Sequence, residues 1–137
     1  MTETLPTLYI LMRNDMESMN AGKAMAQASH ASNAFVKHAN EALPDFNLGQ
    51  LFPQWKLETE QGFGTVLVLA VNEKQMRQAV ETSEVMGLVS GVVHDPTYPL
   101  RDGDTTHFLP VDTCAYVFAD RANPMVKAVL GNFPLHP

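Results

Sequence analysis

The sequence has one cysteine and no apolar run long enough to cross a membrane as a helix. The single thiol, Cys114, has no partner in the chain, so an internal disulfide is excluded and a reducing compartment is indicated. A spanning helix needs roughly 18 consecutive apolar residues, which no apolar run approaches. The first fifteen residues have neither the basic start nor the small-residue cleavage site of a signal peptide. We therefore expect a cytoplasmic protein.

Positive charge is also scarce. Nine lysines and arginines stand against fifteen aspartates and glutamates, which gives a formal net charge of −6. Because proteins bind nucleic acid mainly by neutralising phosphates, this balance excludes broad electrostatic binding and leaves only a small basic patch. Apolar residues, in contrast, make up 45% of the 137 residues, and 18% are charged. Those values predict one globular domain over residues 1–137.

The hydrophobic pattern predicts alternating strands and helices. Short apolar runs bounded by polar residues indicate buried strands, and longer segments with apolar residues at helical spacing indicate helices. Strands are predicted over residues 8–12, 65–71, 89–93 and 113–118. Helices are predicted over residues 21–39 and 73–86, with a short last helix that begins at Pro124 and ends at Gly131. Ser18 or Asn20 can cap the first helix, and Asn72 with Gln75 makes a capping box for the second.

Two other segments show no sustained hydrophobic periodicity of a helix or a strand. Residues 40–62 are predicted to form a long, partly ordered excursion, which is often a functional feature in a compact domain. Its aromatic residues Phe46, Phe52 and Trp55 look exposed, and the segment is equally expected to form a dimer surface or a lid or to pack on the domain. Residues 94–110, which are dense in Pro, Gly, Asp and Thr, predict a loop.

This order of elements predicts an α/β fold in which a single layer of four-stranded mixed sheet is flanked by helices. The two strand–helix–strand crossovers should be right-handed and should join parallel strands. The pattern alone does not fix the direction of the fourth strand.

The first predicted helix carries the most informative polar residues. Lys23, Gln27 and His30 are spaced i, i+4 and i+7, so they project from one helix face. Lys23 lies in the first turn, where free N–H groups and the helix dipole already favour anions, so a lysine there is unfavourable unless an anionic ligand binds. Alternatively, Lys23 is a solvated surface residue, Gln27 only fills a polar position, and His30 is half-buried and hydrogen-bonded.

Several segments resemble a known family. The strand end LMRND (residues 11–15), the turn MNAGK (19–23) and the helix AQASHA (26–31) are similar to the opening signature of the type II peptidyl-tRNA hydrolases. That signature is an Arg-x-Asp strand end, a Met-x-x-Gly-Lys turn and an Ala-Gln-x-x-His-Ala helix. Residues 101–107 resemble the family's Arg-Asp-Ala-Gly-x-Thr-Gln loop, except that Gly-Asp replaces Ala-Gly and His107 replaces the glutamine. Residues 113–117 resemble its last strand.

The resemblance implies hydrolysis of the ester that joins a peptide to the terminal ribose of tRNA. It implies a metal-independent enzyme without a cofactor, often a homodimer. The residues that match the family's important lysine, loop aspartate, loop threonine and last-strand threonine are Lys23, Asp102, Thr106 and Thr113. A competing alignment places Asp95, directly after the third strand, at the aspartate position, although Asp102 is preferred. The predicted substrate-binding residues are Gln27, Gly22, Asn20, Arg13 and His107.

Ester hydrolysis needs a water held in line, a carboxylate that orients it or accepts its proton, and a donor for the developing oxyanion. An aspartate suits the task of orienting the water or accepting its proton, and threonine hydroxyls can act as relays. Lys23 suits the oxyanion or a tRNA phosphate, and His30 would tune Lys23 or the water. Tyr98 and Phe108 are candidates to stack on a terminal base, and each is equally expected to close a minor core.

Two other functions remain open. Nitrogen and oxygen ligands in one predicted loop offer a metal site, although their spacing matches no tight metal motif: His94, Asp95, Asp102, Asp104 and His107. The second open function is that of a non-catalytic module, which keeps the fold and binds RNA ends or a protein partner. It stays open because resemblance in fold does not establish activity.

Overall fold

The computed structural model of the protein describes residues 3–42 and 49–137. Within these residues no helix combines the length and the apolar character needed to span a bilayer. The helices and strands are β1 (Pro6–Arg13), α1 (Ala21–Ala42), α2 (Leu51–Lys56), β2 (Val66–Val71), α3 (Glu73–Val85), β3 (Val89–Asp102), β4 (Thr105–Asp120) and α4 (Pro124–Leu130).

The four strands form one mixed sheet in the order β2-β1-β4-β3. β1 and β2 are parallel, and β4 is antiparallel to both of its neighbours, β1 and β3. The predicted α/β fold with a four-stranded mixed sheet and flanking helices is confirmed. Both crossovers join parallel strands as predicted, but the second one links the two edges of the sheet, β2 and β3, because β1 and β4 occupy its centre.

Helix α1 lies on one face of the sheet with a buried stripe at helical spacing. Alanine favours helix and its short side chain lets the backbone approach the strands, so a helix rich in alanine can pack closely. The stripe consists of Ala24, Gln27, Ala31, Phe35 and Ala39. One member of this stripe, Gln27, is polar, and its partners belong to the site described below.

An aromatic cluster closes the core at the far end of α1. The Phe35 ring centroid lies 5.4 Å from those of Phe52 and Trp55 and 4.8 Å from that of Phe118. Phe52 and Trp55 belong to α2 and are each 1% exposed. Of the two expectations, packing on the domain is therefore correct for these two residues and the exposed lid is wrong, because both rings are buried against Phe35 of α1. Phe46 lies outside the described residues.

The opposite face of the sheet is covered by α3 and α4. The predicted capping box at the start of α3 is present: the Asn72 side chain accepts from the Gln75 N–H, and the Gln75 side chain accepts from the Asn72 N–H. Asn123 caps α4 through the Met125 N–H, again as predicted. Met76, Ala79 and Val80 of α3 pack with Val126 and Leu130 of α4 on the strands, so a second apolar layer completes the core.

Residues 94–110 form a β-ribbon, so the predicted loop is wrong. β3 continues to Asp102, β4 starts at Thr105, and Gly103 takes a positive φ of 59° in the turn between them. The pairing of β1 with β4 stops at Met12–Cys114, so beyond Cys114 the ribbon has only two strands. Residues 101–110 are all exposed. Polar and proline-rich composition here reflects solvent on both faces, and proline is tolerated on an edge strand.

Replacing Phe35 tests how much the aromatic cluster contributes to stability. Phe35→Ala should lower the free energy of unfolding by about 3–5 kcal/mol, because a buried ring is lost and the cavity cannot fully collapse. Urea unfolding followed by the fluorescence of Trp55, the single tryptophan, measures the change. The control Val85→Ala, at a side chain that is 90% exposed, should stay within about 0.5 kcal/mol of the parent protein. Equal stability of the two variants would contradict this account.

Candidate active site at the start of the first helix

Lys23 is tied to the sheet by neutral groups. The Asn20 side chain caps α1 by accepting from the Lys23 backbone N–H at 2.9 Å, as predicted for one of the two capping candidates. The Lys23 ammonium donates to the Pro99 carbonyl oxygen at 2.7 Å and lies 5.0 Å from the Tyr98 ring centroid. In residues 3–42 and 49–137 no carboxylate lies within ion-pair distance of this ammonium. Its charge is held in place without being neutralised.

A chain of hydrogen bonds runs from α1 to β3 and β4 one turn further along the helix. The Gln27 side-chain N–H donates to Asp95 Oδ2 at 2.7 Å, and the Thr113 hydroxyl donates to Gln27 Oε1 at 2.7 Å. The other oxygen of Asp95, Oδ1, accepts from the Thr97 backbone N–H at 2.9 Å. We call Lys23, Gln27, Asp95, Thr97 and Thr113 the helix-start site. Three elements meet there that are far apart in the sequence.

The surroundings of Asp95 favour its ionised form. Partial burial opposes ionisation, but hydrogen bonds from the Thr97 N–H and the Gln27 side chain outweigh it, with a further contribution from the neighbouring His30 ring. The pKa of Asp95 therefore lies below the usual aspartate value. The site presents a carboxylate at neutral pH, which accepts hydrogen bonds and cannot donate them.

The three predicted site residues on the ribbon lie away from Lys23. The Asp102 side chain is 82% exposed, and its carboxylate lies 3.8 Å from a ring nitrogen of His107. Asp102 follows Pro99 by three residues, which is about 10 Å along an extended strand. Thr106 pairs with Arg101 across the ribbon and is exposed. The structure thus brings Asp95 to the start of α1, and it places Asp102, Thr106 and His107 toward the ribbon tip.

The other predicted substrate-binding residues have structural partners of their own. Arg13 is only 11% exposed in its side chain and forms ion pairs with Asp15 and Glu73. It also donates to the Asp112 carbonyl oxygen, so it joins β1, β4 and the start of α3. Asn20 is occupied as the helix cap. Gly22 is exposed and has room for a Cβ, so packing does not require a glycine there.

A second polar cluster lies beside Arg13, on the face of the sheet that α3 covers. Asp112 accepts from the His94 ring at 2.7 Å and from Arg77 at 2.7 Å, and these hydrogen bonds lower the pKa of Asp112. With Arg13 and Glu73 these residues line a cleft of about 420 Å³. Because His94 and Asp95 are adjacent in β3, their side chains take partners on opposite faces of the sheet.

The alternative metal site is not assembled. In the described parts of the chain no three His, Cys, Asp or Glu side chains are grouped so that they could hold a metal ion. Of the five proposed ligands, His94 contacts Asp112 and Asp95 contacts Gln27, while the other three lie at the ribbon tip. Extension of the hairpin separates residues that a compact loop would have kept together.

Thr97 was missed by the sequence analysis, and Tyr98 takes the core role that was one of its two expected roles. Thr97 supplies two donors to Asp95 and was left out of the predicted site. An aspartate followed by proline and a hydroxyl residue is a turn signal that could have indicated it. Tyr98 was a candidate for base stacking, but it is 2% exposed and packs under Lys23 with its hydroxyl 2.9 Å from that of Ser18. Phe108 is exposed, as stacking would require.

The sequence and this geometry match one protein family. The model of the family "Peptidyl-tRNA hydrolase PTH2" matches residues 7–135, nearly the whole chain. The chain belongs to the PTH2 family. The predicted identification as a type II peptidyl-tRNA hydrolase is confirmed by this match, and the family implies peptidyl-tRNA as the substrate. No curated individual protein matches the sequence.

The PTH2 match spans every residue of the helix-start site. Lys23 comes from the first turn of α1, Asp95 and Thr97 from the edge strand β3, and Thr113 from the central strand β4. These residues meet only after the sheet has formed with β4 between β1 and β3, because that order places the middle of β3 beside α1.

Cys114 is adjacent to the helix-start site but is buried in the core. It is fully buried, and burial raises the pKa of its thiol to about 12. The thiol should therefore not react with Ellman's reagent at pH 8 in the native protein and should react fully in denaturant, since the thiolate is the reactive form. Val85→Cys, at an exposed position, should add one fast-reacting thiol. Rapid reaction of the parent protein would show that Cys114 is accessible.

Proposed function

We propose that the protein hydrolyses the ester bond between peptide and tRNA without a metal ion, and that Lys23 and Asp95 are its catalytic residues. The observation that carries this proposal is that contacts between α1 and β3 hold both an unneutralised ammonium and an ionised carboxylate. Lys23 contacts Pro99, four residues after Asp95, while Asp95 contacts Gln27, four residues after Lys23. One helical turn, about 5.4 Å, separates the two helix positions.

Asp95 is the group that holds the attacking water. Each carboxylate oxygen has two acceptor sites, and the hydrogen bonds from Gln27 and Thr97 leave some of them free for a water molecule. The water oxygen adds to the ester carbonyl carbon, its proton passes to the carboxylate, and the bond to the ribose oxygen breaks. That oxygen leaves as a hydroxyl after it takes up the proton. A carboxylate that stays ionised at neutral pH is always ready to orient the water.

Lys23 stabilises the negative charge that forms on the carbonyl oxygen. Its ammonium has three donors and uses one on the Pro99 carbonyl oxygen, so two remain for the substrate. A donor that is fixed before the reaction stabilises a developing oxyanion more than a mobile one does. His30, exposed on the next turn and near Asp95, is proposed to tune the charge of that carboxylate.

We prefer Asp95 to Asp102 as the site aspartate. Asp95 is bonded to the helix that carries Lys23, whereas Asp102 is bonded to nothing on that helix. Thr113 acts through its hydrogen bond to Gln27, because its own side chain is fully buried. Thr106 and His107, on the exposed ribbon, are proposed to contact the tRNA rather than the scissile ester.

The substrate is recognised at the end of the tRNA. With a net charge of −6 the protein cannot follow a long stretch of phosphates, so contacts near Lys23 and the ribbon must be enough. We propose that residues 1–137 act as one domain in this reaction. The expected homodimer and the cytoplasmic location remain predictions.

The release of peptide from a blocked aminoacyl-tRNA tests the proposed function. The purified protein should release the N-acetyl-amino acid at the same rate with and without excess EDTA. Lys23→Ala should be slower by about 10²–10³-fold, because the donor to the oxyanion is lost. Loss of activity in EDTA would favour a metal hydrolase, and tRNA binding without release would favour the binding module. Either result would overturn the proposal.

The same chemical change at two aspartates tests the choice between them. Asp95→Asn should lower kcat/KM for the blocked aminoacyl-tRNA by about 10²-fold or more, since the carboxylate that orients the water is removed. Asp102→Asn should stay within about threefold of the parent enzyme, as expected for an exposed residue without contact to Lys23. The reverse order of the two effects would assign the site to the ribbon tip.

A further inference from the structure

We propose that Gln27 is a positioning residue: its carboxamide fixes both the Asp95 carboxylate and the Thr113 hydroxyl and does not contact the substrate. This inference rests on the proposed function for its kinetic consequences but not for its structural ones. Gln27 is 4% exposed, and both ends of its carboxamide are used inside the protein.

The orientation of this carboxamide follows from the chemistry of its partners. An ionised carboxylate only accepts hydrogen bonds, so the NH₂ end of Gln27 must face Asp95. The oxygen end then faces Thr113, and the only donor that Thr113 can offer is its hydroxyl proton. The proton of Thr113 is therefore directed at Gln27 at 2.7 Å. This assignment of donors and acceptors satisfies all three side chains, whereas the reversed carboxamide would set its oxygen against the Asp95 carboxylate and lose that contact.

The position of Gln27 on α1 shows that the fold does not need a polar group there. The other buried residues of that helix face are alanines and Phe35, all apolar. Burying a carboxamide costs free energy unless its hydrogen bonds are made, so an apolar side chain of similar length would pack there at less risk to stability. The carboxamide therefore serves to hold Asp95 and Thr113 in position.

This arrangement limits where a water can bind. The Gln27 donor occupies Asp95 Oδ2 from the helix side, and Thr97 occupies Oδ1 from the irregular part of β3 that follows Asp95. The acceptor sites that remain lie away from α1 and from Thr97. Because Gln27 is itself held by Thr113 of the central strand, the carboxylate is fixed relative to the sheet and to Lys23 together.

Gln27→Met removes the carboxamide and keeps the length of the side chain. We expect kcat for the blocked aminoacyl-tRNA to fall by about 10–100-fold with KM nearly unchanged, since the water is misplaced and no substrate contact is lost. The acid limb of the kcat–pH profile should move to higher pH, because Asp95 loses a donor that favours its ionised form. Thr113→Val, the matched control, should lower kcat but leave the Gln27–Asp95 contact and the acid limb in place.

A measurement without substrate separates this inference from the proposed function. The pKa of the Asp95 carboxyl group, followed by NMR through its ¹³C resonance, should be higher in Gln27→Met than in the parent protein. In the unmodified protein the side-chain NH₂ protons of Gln27 should shift with the same midpoint as Asp95, and this reading requires no variant to fold. Gln27 protons that ignore the Asp95 titration, or a raised KM with unchanged kcat in the variant, would overturn the positioning role.

Discussion

The close approach of α1 to the sheet is the constraint on which the site depends. Small residues at Ala24 and Ala31 bracket Gln27 on the buried face, so the helix lies near enough to β3 and β4 for one side chain to reach both. Larger residues at those two positions would lift the helix and break these hydrogen bonds, whose strength falls steeply with distance and angle. Packing and chemistry are therefore linked at the same helix turns.

Most of the fold could be predicted because its signals are local. Period, caps and apolar runs located all four strands and three of the helices, and α3 and α4 start at the predicted caps Asn72 and Asn123. The errors occur where composition reflects environment and not conformation. The ribbon around Gly103 looked like a loop because both of its faces meet solvent, and Trp55 looked exposed because its helix is short.

The local side of the candidate site could be predicted from the sequence, whereas on its distant side two aspartates competed and the sequence favoured Asp102. Lys23 and Gln27 share a helix, so their spacing was enough to place them on one face. Which aspartate faces them depends on which part of β3 lies beside α1, and that is set by the register of β3 on β4 rather than by any local pattern. The Gln27–Asp95 contact joins residues 68 positions apart, a distance over which one sequence carries no signal.

The way the protein holds its few cations explains how an acidic chain can act on tRNA. Arg13 is matched by two carboxylates and Arg77 by Asp112, so those charges stabilise the fold and are largely neutralised. Lys23 is held instead by a carbonyl oxygen and an aromatic ring, which fix its position and leave its charge in place. A single unneutralised ammonium next to a buried frame has a stronger local effect than its share of the net charge would indicate, because nearby groups of low polarity screen it less than water does. Binding strength can then be concentrated at the ester, where the charge develops, and need not be spread along the RNA.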